Sequence, residues 1–468
     1  MSSSSPTART FAWQVLQIIY RNRAFADDVF DAQLQEVSLS AQDRALAFEL
    51  VYGVLRHALT LDWRLNRISR KPMARLPLNV ATTLRVAAYQ LLYLDRIPQS
   101  AAVNEAVKLI RSQPGHDWSG LVNAILRNLI RQPPPPLPDT DKDPVQALSL
   151  LYSCPNWMVD RWIKAFGLIQ AQEICRQTLD VPPVTLRTNT LRCTRPALLE
   201  RLQTEGMIAH ATVVSPVGII LDKCGNPGQL SVVQEGWCYI EDEAAQLIPL
   251  LLDPQPGERI LDADARHPGG KTTHLAQLMG NRGSIVALDR RKERLDRLTA
   301  NCQRLGIGIV QAYSLDVLAD LPPNNQQLAG MRSFPSPAFE QLFDRVLVDA
   351  PCSGLGILRR HPEAKMLKHP TIIHQSRVTQ SQILDRVSNL LRPGGILVYS
   401  ACSIEPEETT GVLSEFCHRH PEFRQESLAT RIPASGHDLL NQSGQLWTAG
   451  NVHNMDGFFA CRLIKSAN

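Results

Sequence analysis

The sequence lacks a long apolar run: within its 468 residues no stretch approaches the roughly 18 apolar residues that a membrane span requires. Its first residues, Met1 to Pro6, are rich in serine and lack a charged segment followed by an apolar stretch, so no secretory signal is expected. The ten cysteines include no Cys-x-x-Cys pair, which argues against a zinc framework and a disulfide scaffold. These absences predict a protein of the reducing cytoplasm, with no metal and no membrane partner.

The composition that remains is typical of a globular protein, 44% hydrophobic and 20% charged, in a chain long enough for two to four domains. Its charge is unevenly distributed, because residues 1–131 carry 16 Lys and Arg against 10 Asp and Glu. Most of these cations are arginines, and a guanidinium binds phosphate in a bidentate manner. The N-terminal third is therefore a candidate RNA-binding surface, although a solvated helix surface explains the same count equally well.

The first part of the chain has the periodicity of helices. Apolar residues recur at i, i+3, i+4 and i+7 in 84–92, and similar stripes run through 11–20 and 102–110. Residues 1–132 are therefore predicted to form an all-α bundle. A run of prolines followed by charged residues then predicts a linker over 133–144.

The period changes after the linker. Short strands are predicted at 184–186 and 218–221, with a helix at 195–205 between them, so residues 145–240 are interpreted as a small α+β module. From 241 to 468, short apolar strands alternate with helices. That alternation predicts a parallel sheet wound on both faces, a Rossmann-like α/β domain, so the fold class is multidomain.

Glycines and carboxylates follow the predicted strands, at the edge where open parallel sheets bind their ligands. Asp262 follows the first strand, and Pro268-Gly269-Gly270-Lys271 then opens a helix whose N-terminus favours a negative group. Asp289 ends the second strand, where a carboxylate can accept both hydroxyls of a ribose. Asp316 follows the next apolar stretch and could bind an adenine edge. Together these residues predict a site for a nucleoside cofactor, and the glycine spacing favours neither a dinucleotide nor a triphosphate.

Two cysteines directly follow two later strands. One lies in Asp349-Ala-Pro-Cys352-Ser, the other in Tyr399-Ser-Ala-Cys402-Ser. If those strands are neighbours, both thiols overhang the same cleft. A cysteine is usually an inert, buried apolar residue, and the other eight are interpreted in that way. These two stand in polar turns after strands, so they are predicted to be a functional pair.

The motifs around Pro268, Cys352 and Cys402 resemble those of RNA cytosine-5 methyltransferases that use S-adenosylmethionine. The helical segments Arg85–Tyr93 and Gly120–Asn128 are similar to the NusB-like domain of the RsmB/Sun family, and the resemblance extends over nearly the whole chain. It implies methylation of a cytosine in small-subunit (16S) ribosomal RNA, with S-adenosylmethionine as cofactor and ribosomal RNA as partner. It further implies a cytoplasmic protein that acts as a monomer.

The resemblance also assigns roles to residues. Cys402 is the nucleophile that adds to carbon 6 of the cytosine, and Cys352 assists release of the product. Arg359, Arg360, His361 and Lys365 are expected to hold RNA phosphate, although a solvated loop is an equal interpretation. The cofactor is expected to contact a set of strand-end and turn residues: Asp262, Pro268, Gly269, Gly270, Lys271, Asp289, Asp316 and Asp349. Because a duplex hides carbon 6, the target base should be unpaired or flipped out.

One turn departs from the family pattern. Where the family has Asp-x-Cys-Ala-Ala-Pro-Gly-Gly-Lys, this chain has Asp262-Ala-Asp264-Ala-Arg266-His267-Pro268, which is one residue longer. If the extra residue is absorbed ahead of the proline, the helix N-terminus can still face the cofactor. Two alternatives to the ribosomal RNA enzyme stay open: a transfer RNA cytosine-5 methyltransferase, and an RNA-binding or ribosome-assembly factor with weakened or lost methyl transfer. Retention of both cysteines favours an enzyme.

Overall fold

The computed structural model comprises two compact units, each described here by itself. The first unit contains Met1–Val181 and Leu358–His369, and the second contains Pro182–Ile357 and Pro370–Asn468. The structure describes residues 6–222, 224–265, 269–321, 339–449 and 453–467.

The first unit is helical, as its periodicity predicted. Its helices begin at polar caps where the sequence provides them: the Thr7 hydroxyl accepts a hydrogen bond from the Thr10 amide, and the Asp143 carboxylate accepts one from the Gln146 amide. Leu16, Leu50 and Leu84 lie in its core. Its helices are Ala8–Asn22, Ala26–Glu36, Ala41–Arg56, Ala58–Ile68, Leu78–Tyr93, Gln99–Arg111, Ser119–Arg131, Pro144–Tyr152, Asn156–Phe166, Leu168–Gln177 and Ala364–Leu367, with a 3-10 turn at Met73–Arg75.

Three helices between residues 144 and 177 lie in the first compact unit, and the start of the α+β module at residue 145 stays a prediction. A set of contacts across the proline-rich segment holds these helices in that unit. The Thr60 hydroxyl donates a hydrogen bond to the Leu150 carbonyl at 2.7 Å, and the Ser153 hydroxyl accepts one from the Leu59 amide at 2.9 Å. Proline-rich composition marks a change of path and does not by itself mark the edge of a packed unit.

The second unit begins with a four-stranded antiparallel sheet in the order β2-β3-β1-β4. This is the small α+β module that the sequence predicted. Its sheet packs on a helix through Leu186, Leu198 and Ile219. The strands are β1 Val184–Thr188, β2 Ala209–Ala211, β3 Gly218–Leu221 and β4 Cys238–Ile240, and the helices and 3-10 turn are Arg195–Thr204, Pro227–Gln229, Ser231–Gln234 and Glu243–Leu252.

The larger sheet has the order β10-β12-β9-β8-β5-β6-β7, with β11 paired to β12. Its strands are β5 Arg259–Asp262, β6 Ser284–Asp289, β7 Val310–Ser314, β8 Phe343–Asp349, β9 Leu391–Ala401, β10 Phe423–Glu426, β11 Leu446–Trp447 and β12 Phe459–Lys465. The accompanying helices and 3-10 turns are Gly270–Leu278, Lys292–Leu305, Leu355–Ile357, Thr371–Ser388, Pro406–Glu408, Thr410–Arg419, Leu428–Thr430 and Ala434–Leu439.

The strands β5 to β9 are mutually parallel, and the carboxyl ends of all five therefore meet at one edge. From β5 the chain runs outward to β6 and β7, then returns to place β8 on the other side of β5. A ligand cleft is expected at this reversal. The last strand, β12, lies antiparallel beside β9, which closes a Rossmann-like sheet with mixed strand directions. In the described part of the chain, no helix is both long enough and apolar enough to cross a membrane.

Candidate active site

The glycine turn after β5 is set by packing as well as by backbone conformation. Gly269 has φ +81° and caps the helix Gly270–Leu278, and a Cβ added to Gly269 would lie 2.1 Å from Cδ1 of Leu298. A side chain is therefore excluded on both grounds. The helix N-terminus opens at the carboxyl edge of the sheet, as expected for an anion site. Pro268, together with Arg266 and His267 of the longer turn, lies outside the described residues.

Asp262, at the end of β5, is buried with 2% of its surface exposed. Its Oδ2 accepts a hydrogen bond from the Thr272 hydroxyl at 2.6 Å, while its Oδ1 has no hydrogen-bond partner among the residues described. Burial raises the pKa of this carboxyl to about 6. A buried acceptor without a donor is costly, so the site fits a ligand that supplies a donor or a positive charge here.

Asp289 and Asp316 follow the next two strands. The Asp289 carboxylate accepts hydrogen bonds from the Arg291 amide at 2.7 Å and from the Arg294 guanidinium at 3.2 Å. Asp316 lies two residues beyond the end of β7. Its carboxylate accepts a hydrogen bond from the Leu318 amide at 2.9 Å. Because β6 and β7 are parallel neighbours, both carboxylates lie at the same edge of the sheet as Asp262.

Lys271 connects the glycine turn to the end of β8. Its ammonium donates a hydrogen bond to Oδ2 of Asp349 at 2.7 Å and lies 5.1 Å from the centre of the Phe458 ring. The Ser400 hydroxyl donates to the other oxygen of Asp349 at 2.8 Å. Burial lowers the pKa of Lys271, but the Asp349 carboxylate more than offsets this, so the pKa is raised and the ammonium stays charged.

The two cysteine thiols meet at the ends of β8 and β9. These strands are parallel neighbours in which Asp349 pairs with Ser400, so Cys352 and Cys402 leave the sheet side by side. Their Sγ atoms are 3.1 Å apart. The hydrogen bond between the two thiols lowers the pKa of Cys402, and the charge of Lys271 acts in the same direction, against burial and the Asp349 carboxylate. The pKa of Cys352 is raised well above its usual range, first by its hydrogen bond to Cys402 and then by burial. The two thiols therefore differ in acidity, with the lower pKa at Cys402 and the higher pKa at Cys352.

The four residues predicted to hold RNA phosphate lie in the helical unit, in the segment Leu358–His369. Lys365 is 2% exposed, and its ammonium contacts the carbonyls of Arg56 at 3.3 Å and Tyr152 at 3.5 Å. Arg359 is also buried. This burial disfavours a contact between RNA phosphate and either side chain, and the RNA-binding role of the segment stays a prediction. Arg360 and His361 are half-buried, and the imidazole of His361 packs edge-on against the Phe25 ring at 5.8 Å.

Several polar residues around the thiols were not singled out from the sequence. Ser353 and Ser403 each follow one of the cysteines, and both bond to the carboxylate of Glu408. The repeated Cys-Ser dipeptide is the only sequence signal for this arrangement. Across the residues that the structure describes, no group of three or more His, Cys, Asp or Glu side chains is placed to hold a metal ion.

A doubly wound sheet with a helix N-terminus and carboxylates at its reversal point defines a Rossmann-like domain of the kind that binds a nucleoside cofactor, and two thiols lie at the same edge of the sheet. Models of known protein families match three parts of this sequence. The model "16S rRNA methyltransferase RsmB/F" matches residues 249–464, the NusB family model matches 6–131, and a model of the ferredoxin-like domain of RsmF/B-like methyltransferases matches 154–226.

Curated relatives match along nearly the whole chain. A Bacillus subtilis (strain 168) protein named "Probable ribosomal RNA small subunit methyltransferase B" is 34% identical over 98% of this chain and 99% of its own length. A Pseudomonas syringae pv. tomato protein named "Ribosomal RNA small subunit methyltransferase B" is 33% identical over 98% of this chain and 97% of its own length. The chain belongs to the RsmB/F family of 16S rRNA methyltransferases.

Solved structures show the same architecture. The crystal structure of a protein named PH0851 has a TM-score of 0.80 and 25% identity, over 99% of this chain and all of that one. A methyltransferase homolog protein from Pyrococcus horikoshii has a TM-score of 0.56 and 26% identity, over 69% of this chain and 99% of that one. The first of these likenesses extends over both units.

Proposed function

We propose that this protein transfers a methyl group from S-adenosylmethionine to carbon 5 of a cytosine in 16S ribosomal RNA, through a covalent adduct with Cys402. The observation that carries the proposal is the 3.1 Å separation of the Cys352 and Cys402 thiols, with opposite shifts of their pKa values. Cys402 is the thiol of the pair that loses its proton more readily, and Cys352 is the one that keeps it.

Cysteine attack is needed because carbon 5 of cytosine is a weak nucleophile. The Cys402 thiolate forms a bond to carbon 6, and the electron pair of the ring double bond becomes available at carbon 5. Carbon 5 then forms a bond to the methyl group that a bound S-adenosylmethionine would supply, and the electron pair of the broken sulfur-methyl bond would stay on the sulfur of the departing S-adenosylhomocysteine. Removal of the proton on carbon 5 restores the double bond and expels the Cys402 thiolate, which is the step that Cys352 assists. The target cytosine must be unpaired or flipped out for carbon 6 to be reached.

The cofactor site is proposed at the carboxyl edge of β5, β6 and β7. S-Adenosylmethionine supplies an electrophilic methyl group on a sulfonium. Asp289 is placed to accept ribose hydroxyls and Asp316 to bind the adenine edge. The turn Gly269-Gly270-Lys271, preceded by Pro268, presents a helix N-terminus to the cofactor carboxylate, and Asp262 with its unpaired buried oxygen accepts the cofactor ammonium. Asp349 lies between this site and the two cysteines.

Ribosomal RNA is the proposed partner, with the arginine-rich helical unit supplying attraction to the phosphate backbone. Exposed cations in this unit include Arg67, Arg70, Lys71 and Arg75. The protein is proposed to act as a monomer in the cytoplasm.

Bisulfite sequencing of 16S ribosomal RNA tests the proposal. RNA from cells with the protein should contain a protected cytosine that is converted in cells without it or with Cys402→Ala. A matched control is Cys417→Ala, because this cysteine lies in the helix Thr410–Arg419, outside the proposed site. RNA binding with no protected cytosine in any sample would overturn the proposal in favour of an assembly factor, and protection only in transfer RNA would indicate the other substrate class.

A further inference from the structure

One buried carboxylate binds the residues that follow both cysteines. Oε1 of Glu408 accepts the Ser353 amide at 2.7 Å, and Oε2 accepts the Ser353 and Ser403 hydroxyls, each at 2.5 Å. The two hydroxyls are 3.2 Å apart. Glu408, Ser353 and Ser403 are all fully buried. A single side chain therefore holds the turn after β8 and the turn after β9 at a fixed separation.

Neighbouring contacts hold the same two turns. The amide of Gln380 donates to Oε1 of Glu408 at 3.2 Å and to the Pro351 carbonyl at 2.8 Å. The Tyr399 hydroxyl donates to the main-chain carbonyl of Glu408 at 2.6 Å. The backbone before and after the two thiols is thus anchored through the Glu408 residue, whereas the thiols themselves contact each other.

We propose that Glu408 is a positioning residue that sets the separation of the Cys352 and Cys402 thiols. The inference rests on the proposed function of the two cysteines. Hydrogen bonds to a carboxylate are short and strong, and four of them converge here on Glu408. Burial raises the pKa of Glu408, and the bonds from Ser353 and Ser403 act against that rise. Removing that group takes away the acceptor that the Ser353 amide and both hydroxyls share, so the two turns can separate. The hydrogen bond from Cys352 to Cys402 is then weakened.

The electrostatic effect of Glu408 on Cys402 has the opposite sign, which makes the proposal testable. The charged and titratable groups that face Cys402 are Cys352, Asp349, Lys271 and Glu408. A carboxylate near a thiol raises the pKa of that thiol, so loss of the Glu408 charge alone should make Cys402 more reactive. Loss of the positioning hydrogen bonds should make Cys402 less reactive, because its own hydrogen-bond donor moves away.

Alkylation of Cys402 by iodoacetamide, followed by mass spectrometry across a pH series, separates these effects. In Glu408→Ala we expect Cys402 to be alkylated roughly threefold to tenfold more slowly at pH 7, the range that the loss of one hydrogen bond gives. In Glu408→Gln, whose amide keeps the shape but not the charge, the rate should be unchanged or higher. In a Cys352→Ala background, Glu408→Ala should slow the reaction no further.

Equal or faster alkylation in Glu408→Ala would overturn the proposal, as would the same slowing in the Cys352→Ala background. If Glu408→Ala does not fold, Ser353→Ala provides the second variant, with a smaller slowing in the same direction expected and no slowing contradicting the proposal. The readout needs neither RNA nor cofactor. A failure of methyl transfer in the unmodified protein would therefore be distinguished from a failure of this inference.

Discussion

The guanidinium of Arg187 donates a hydrogen bond to the main-chain carbonyl of Gly270, the first residue of the helix that follows the glycine turn. Arg187 belongs to the small antiparallel sheet, is fully buried, and also forms an ion pair with Glu241 at 2.6 Å and a hydrogen bond to the Thr273 hydroxyl at 2.8 Å. A Cβ on Gly270 would lie 2.5 Å from an oxygen of Glu241. The small sheet therefore orients the start of the helix Gly270–Leu278.

Replacing Arg187 with methionine should weaken cofactor binding as well as stability. The change leaves Glu241 buried without its partner, which typically costs about 3 to 5 kcal/mol, and it removes the donor to Gly270. Calorimetry with S-adenosylhomocysteine should show about tenfold weaker affinity. Arg377→Met, which removes an exposed ion pair with Glu415, is the matched control and should change stability by about 0 to 1 kcal/mol. Unchanged affinity in a destabilised Arg187→Met would limit Arg187 to a structural role.

Asp262→Asn should stabilise the protein at neutral pH while abolishing cofactor binding. Burial raises the pKa of Asp262 from 3.8 to about 6, so the folded state holds this proton more tightly than the unfolded state does. Stability is therefore lost as the pH rises from about 4 to about 6, by about 3 kcal/mol in total. Thermal unfolding of Asp262→Asn should show a higher midpoint than the parent at pH 7 and no difference near pH 4. A pH-independent difference, or the same behaviour in the exposed control Asp296→Asn, would contradict the argument.

A cationic side chain should contribute to RNA binding only if it is exposed to solvent, wherever it lies in the sequence. Lys365 is buried, so Lys365→Met should leave the salt dependence of RNA affinity unchanged. The exposed residues Arg67, Arg70 and Arg75 are candidates for phosphate contacts. Changing all three to glutamine should reduce the slope of log affinity against log salt by roughly 0.7 for each phosphate that the protein no longer neutralises. Filter binding over a salt series measures both variants, and a flattened slope for Lys365→Met would show that this lysine does reach RNA.

The sequence predicts which residues end a strand more reliably than it predicts which of those residues contact one another in the fold. Asp262, Asp289 and Asp349 were found because each ends an apolar run, and the alternation of strands and helices then places all three at one edge. Cys352 and Cys402 face each other because β8 and β9 are neighbours in the sheet. The alternation of strands and helices along the chain allows this strand order but does not specify it.

Residues whose role depends on contacts with distant parts of the chain are not predicted from the sequence, for the same reason. Glu408 comes six positions after Cys402, but its role depends on Ser353, which is 55 positions away along the chain. Lys365 shows that burial can also be missed from the sequence. A lysine in a basic segment is expected to be exposed. The structure instead buries its ammonium against two backbone carbonyls. Burial of a charged side chain is set by tertiary packing, which local composition does not report.

In the proposed mechanism Cys402 attacks the base and Cys352 assists release, and trapping of the protein-RNA adduct separates these two roles. The protein and two variants are incubated with 16S ribosomal RNA and S-adenosylmethionine, then run on denaturing gels. Cys352→Ala should accumulate an adduct because attack is intact and release is slowed, whereas Cys402→Ala should form neither adduct nor methylated RNA. An adduct in Cys402→Ala that is absent in Cys352→Ala would reverse the assignment, and methylation that survives both substitutions would contradict the covalent mechanism.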